Sequence, residues 1–162
     1  MNSSYILFFS LCLLLTLCCN KDKTENGTAT EFRCLVNGKP FQVGSGGGPF
    51  EGLPWQFSYD KISGILGIYV EGSNNNTLIN FVNIPPLEEG LNKIEKSGYI
   101  YKDYTKTKNC IGYQLDTTKP HIIEILDKNP AGQFIKGKFY FTCYNSCEEL
   151  KITEGYFNVK VL

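Results

Sequence analysis

Histidine, methionine and tryptophan occur once each in this chain of 162 residues. A single imidazole, His121, does not supply the paired ligands of a His-based zinc site, and no G-x-S-x-G or comparable motif gives it a nucleophile to activate. Neither sign of charge is in excess: 16 basic residues face 16 acidic ones, so no overall field draws the chain to nucleic acid. Long apolar runs are missing too. The leading stretch, Tyr5 to Leu17, has thirteen residues without a charge; as a helix it rises about 20 Å, short of the ~30 Å hydrocarbon core of a bilayer. GSGGGPF (44–50) lacks the Gly-Lys-Ser/Thr ending and following helix of a phosphate-binding loop. Glu88 and Glu89 are adjacent, so they point apart rather than across the ~5–10 Å gap that glycoside hydrolysis requires. These absences leave no catalytic centre, metal or cofactor to assign, and they predict a non-enzymatic protein.

What is present favours strands. Aromatic residues make up 14% of the chain and glycines number 16, a mixture suited to short strands joined by turns. FRCLV (32–36) and PFQV (40–43) flank Asn37-Gly38, the strongest short-range hairpin signal. WQFSY (55–59), ILGIYVE (65–71), TLINFVN (77–83), SGYIYKDY (97–104), CIGYQL (110–115) and HIIEILD (121–127) follow between turn residues. QFIKGKFYFTCYN (133–145) and ELKITEGYFNVKVL (149–162) close the chain with apolar and polar residues alternating. Residues 86–96 allow at most a short helix, weakened by Gly90. The expected fold is all-β: an antiparallel sandwich or partly open barrel, with no internal repeat.

The amino terminus reads differently. Tyr5–Leu17 has the length of a signal-peptide h-region and ends at the pair Cys18-Cys19. No Ala-x-Ala site is present; the segment instead resembles the box of bacterial lipoproteins, in which a leucine-rich run ends at a cysteine that is diacylated and becomes the new amino terminus. Cys19 has the small residue Cys18 before it, as that box requires, whereas Cys18 has the expected Leu15 three positions back but the bulky Leu17 next to it. Cys19 is favoured and Cys18 is the alternative. The resemblance implies residues 1–18 as signal peptide, 19–31 as a polar tether, and 32–162 as a single β-domain. Two or three acyl chains such as palmitate hold a protein firmly at a membrane, each buried methylene contributing about 0.8 kcal/mol.

The last forty residues carry a second resemblance. Ile135, Gly137, Phe139 and Phe141, then Ile152, Thr153, Gly155, Phe157 and Val159, form a G-x-F-x-F … I-T-x-G-x-F-x-V pattern that resembles small Bacteroidota lipoproteins of unknown function, as does VNGKPF (36–41) with Trp55 further on. The likeness implies a fold and an address in the cell envelope, lipid-anchored to the outer membrane on its periplasmic or outer face. It does not imply a task. Tyr156 and Asn158 stand where that family often has arginine and aspartate, so no role of such a pair transfers. Gly137 and Gly155 are expected at bulges or close backbone approaches.

Four cysteines remain in the β-domain. In an exported chain they suggest two disulfides with three connectivities, of which Cys143–Cys147 with Cys34–Cys110 is favoured. Tyr99, Tyr101 and Tyr104, beside Lys102 and Asp103, are the candidate binding surface, suited to a glycan or a protein partner. His121 follows Pro120 at a strand start and reads as an edge histidine. The function expected is a membrane-anchored binding or accessory module; the alternative is a structural envelope component acting through protein–protein contacts.

Overall fold

The computed structural model describes residues 31–44, 55–96, 98–129 and 134–160. The leader, the lipidation candidates Cys18 and Cys19, most of the tether and most of the glycine-rich loop lie outside the described residues. The domain is all-β, a strongly curled antiparallel sheet forming a half-barrel. Its strands are β1 (Glu31–Val36), β2 (Lys39–Pro40), β3 (Trp55–Asp60), β4 (Ile65–Glu71), β5 (Thr77–Val82), β6 (Gly90–Lys93), β7 (Tyr101–Asp103), β8 (Gly112–Leu115), β9 (Ile122–Asn129), β10 (Phe134–Tyr144) and β11 (Glu149–Lys160). Short 3-10 turns at Ser73–Asn75 and Lys108–Cys110 complete the elements.

The strand order is β2-β1-β11-β10-β8-β7-β5-β4-β3, with β9 beside β10 and β6 beside β9. From β3 onward this is a meander. The amino-terminal hairpin returns to pair β1 with β11, Phe32 opposite Phe157. Asn37 and Gly38 both take positive φ, 49° and 75°, as the two-residue turn between β1 and β2 requires. Beyond β2 the chain crosses to the far side of the sheet: Val43 bridges Gly72, and the amides of Gly44 and Ser73 donate to the carbonyls of Glu71 and Gln42. This strap ties the β2 side to the end of β4 and fixes the curl.

Period-2 alternation fills the interior. Phe32, Phe81, Phe139, Phe141 and Phe157 are all buried, and Phe139 is their hub. Its ring lies 4.9 Å from Phe81, 5.3 Å from Phe32 and 6.3 Å from Phe157. Burying each such side chain contributes about 1.5–3 kcal/mol. The G-x-F spacing has a mechanical reason. In the β10–β11 ladder Gly137 stands opposite Phe157, and Phe139 stands opposite Gly155. Each ring lies over the opposing glycine, where a Cβ would overlap it, so two aromatics fit at neighbouring rungs of one face. The ladder slips between Phe139 and Phe141, and Glu154 has φ 52° there: a bulge immediately before Gly155.

Residues 86–96 contain no helix. Gly90 takes φ 89° and begins β6, while the Asn92 side chain closes the preceding turn by accepting from the Glu88 amide and donating to the Glu88 and Gly90 carbonyls. These local bonds replace the hydrogen bonds a helix would make.

The cysteine pairing differs from expectation. Cys110 bonds Cys147, and Cys34 and Cys143 are free, buried thiols. Cys143 shares the inward face of β10 with Phe139 and Phe141, opposite Leu150. Cys147 lies past the strand end in a turn organised by Asn145. The Asn145 Oδ1 accepts from the amides of Cys147 and Glu148, and its Nδ2 donates to the Cys110 carbonyl at 2.7 Å. One side chain thereby aims Cys147 at Cys110 and away from Cys143.

Candidate functional site

Two neighbouring strands of the meander break at the same level. Along β10, the β8 segment ends as the Asp116 amide donates to the Thr142 carbonyl, and β9 resumes with Ile122 opposite Tyr140. Residues 116–121 therefore leave the sheet and return across about one rung. On the next strand β6 continues until the Glu95 amide donates to the Val82 carbonyl, and the line resumes where the Asn80 amide donates to the Ile100 carbonyl. Turn chemistry makes the first excursion: the Asp116 carboxylate accepts from the Thr118 amide and hydroxyl, and Pro120 cannot donate to a ladder.

A cleft of about 320 Å³ opens beside these breaks, lined by Leu91, Lys93, Lys119, Pro120, His121 and Ile122 together with Asn92. Its volume is at the small end of ligand sites. Leu91, Pro120 and Ile122 give apolar walls, and Leu91 is 72% exposed. The His121 Nδ1 lies 2.7 Å from the Lys119 carbonyl; a carbonyl only accepts, so Nδ1 carries the proton and Nε2 is left for a ligand. Lys119 is committed to Glu149 and Asp116. Asn92 spends its amide on the Glu88–Gly90 backbone. The cleft thus offers an apolar body site, one imidazole and the Lys93 ammonium.

The expected tyrosine surface is divided. Tyr101 is 5% exposed and packs edge-on against Tyr113, ring centroids 5.4 Å apart, so it belongs to the core. β7 begins only at Tyr101; residue 99 lies in the excursion, where strand alternation does not reach. Tyr99 instead covers Gly112, with Lys102 Nζ 5.6 Å from its ring. Tyr99 and Tyr104 are half-exposed near the disulfide, and Tyr144 at the end of β10 is exposed to a similar degree.

Chemistry elsewhere is subdued. Burial pushes the Cys34 and Cys143 thiols up to about 12, which keeps them protonated and poor nucleophiles at neutral pH. Among the described residues no three His, Cys, Asp or Glu side chains gather as metal ligands would. Glu88 and Glu89 are exposed. No family model, curated protein or solved structure matches the chain.

The cleft was not legible from motifs. Its signal is DTTKP (116–120), a turn inside an otherwise apolar run; that a second break lies beside it depends on strand register.

Proposed function

We propose that this protein is a lipid-anchored envelope lipoprotein whose β-domain acts as a non-enzymatic binding module, and that its ligand seats in the cleft beside the paired strand breaks. The observation that carries the reading is the cleft itself: apolar walls with the His121 Nε2 unengaged by its Nδ1–carbonyl bond. Such walls favour a small, mostly apolar ligand bearing one acidic group, which the Lys93 ammonium would face, while the His121 Nε2 would accept from a hydroxyl or amide donor beside it. The anchor reading draws on LLLTLCC (13–19) and on its resemblance to a lipoprotein box. The non-enzymatic reading draws on the dispersal of titratable groups described above.

The test is an NMR titration of the domain with hexanoate, phenylacetate and N-acetylglucosamine. Hexanoate or phenylacetate is expected to shift the His121 ring resonances and the amides of 91–93 and 119–122, and His121→Ala should abolish the shifts. Sugar-induced shifts confined to Tyr99, Tyr104 and Tyr144 would move the site to the disulfide end and reject the cleft. A second reading, a structural envelope component, is favoured by β3, a six-residue strand at the terminal position of the sheet order, since an open edge pairs readily with another chain.

A further inference from the structure

The end of the half-barrel at which β1 begins carries an apolar tip. Ile62 is 99% exposed and Ile84 is 45% exposed; Pro85 and Pro86 beside Ile84 are exposed as well. The two segments form one surface. The Leu87 amide donates to the Gly64 carbonyl at 2.8 Å, and a Cβ at Gly64 would press on Pro86 and the Leu87 backbone.

The tip is held out by design of the turn beneath it. Asp60 accepts from the Ile62 amide at 2.9 Å, from the Ser63 hydroxyl at 2.7 Å and, through its carbonyl, from the Gly64 amide at 2.8 Å. Three bonds therefore fix a turn whose apex is a fully exposed isoleucine, set beside the exposed Ile84-Pro85-Pro86 segment. Lys61 and Lys128 at this end are offset by Asp60, Glu88 and Glu89, so charge does not select an anionic partner.

We infer that the tip formed by Ile62, Ile84, Pro85 and Pro86 rests in the interface of the membrane to which the chain is anchored. The inference rests on the lipid-anchor reading. Residues 20–30 separate the acylated cysteine from Glu31, a span of at most about 40 Å when fully extended, and Glu31 enters the sheet at this same end. The antiparallel ladders place the ends of β3 and β5, the starts of β4, β6 and β10, and the beginning of β1 together, whereas the disulfide lies at the opposite end. Two isoleucines would not hold a free domain on a bilayer. Tethered there, they meet it at high effective concentration.

The experiment uses the full acylated chain on phosphatidylcholine–phosphatidylethanolamine vesicles that contain a lipid with a photoreactive acyl chain. Vesicles are recovered by flotation and cross-linked peptides are mapped. Adducts are expected on Lys61–Ser63 and Ile84–Pro86 and not on Tyr99, Tyr104 or Tyr144. The double substitution Ile62→Asn with Ile84→Asn should remove most of those adducts while leaving flotation and thermal stability unchanged. Flotation with adducts spread evenly, or gathered at the tyrosines, would overturn this orientation and leave the anchor intact. Failure of the chain to float would overturn the anchor, and the orientation with it.

Discussion

The two ends of the half-barrel are closed by different chemistry. At one end a covalent bond, Cys110–Cys147, joins the start of β8 to the β10–β11 turn, and Glu148 links Tyr113 at 2.6 Å with Lys106 at 2.8 Å. At the other end no covalent link is described. Buried Asn83 accepts from the Leu66 amide and donates to the carbonyls of Gly64 and Ile84, and Asn92 closes the turn into β6. The exposed side chains differ as well: Tyr99, Tyr104 and Tyr144 lie toward the disulfide end, while Ile62, Ile84, Leu91 and Leu126 lie toward the proline end. Amide hydrogen bonds hold loops in shape beneath an apolar tip, where a second disulfide is not needed.

The comparison breaks most sharply under reduction. Replacing Cys110 and Cys147 with serine removes a loop closure across a sequence separation of 37, worth about 4 kcal/mol at most in the chain-entropy model. Hydrogen exchange should accelerate across 104–113 and 145–149 while 60–66 and 83–92 stay protected. Uniform loss at both ends would show that they are not held separately. Asn83→Ala is the converse change. It strands the buried Leu66 amide and takes a donor from the Ile84 carbonyl, while the Gly64 carbonyl keeps the Leu87 amide; the change should cost about 1–3 kcal/mol in urea unfolding, with the loss insensitive to reductant.

Acid gives the smallest effect. The Lys106 ammonium and the Tyr113 hydroxyl hold the Glu148 carboxyl below the usual carboxylate range, and the Ser63 hydroxyl and Ile62 amide do the same for Asp60. A lowered folded-state value means stability that is complete above the ordinary carboxylate range of about 4 and is lost as pH falls through the lowered value. Both turns should therefore loosen as pH falls below the ordinary carboxylate range. Salt separates them. Glu148 is held partly by a cation, so NMR titration in high salt should move its midpoint upward, whereas that of Asp60, held by neutral donors, should stay in place. Equal salt responses would contradict this assignment of causes.

Much of the fold was readable because alternation survives in the long strands. GKFYFTC and EGYFNV place Phe139, Phe141, Phe157 and Val159 inward, and Asn37-Gly38 marks its hairpin. The same alternation already pointed Cys143 inward with Phe139 and Phe141; proximity in CYNSC was the misleading cue, since Asn145 turns Cys147 toward a partner distant in sequence. Tyr101 was misplaced because pleat parity was carried through a segment that leaves the sheet at residue 99. The cleft was hidden for a related reason. Each break alone resembles an ordinary turn, and only the register that sets Lys93 opposite Ile122 and Tyr101 opposite Tyr113 brings the two breaks together.

The most direct measurement is the intact mass of the protein purified from all fractions of its native cells, with fragmentation of its amino terminus. The expected chain begins at Cys19, or at Cys18, and carries the added mass of fatty acyl chains on that residue. An unacylated chain still bearing residues 1–18, or one beginning freely downstream of Asn20, would contradict it.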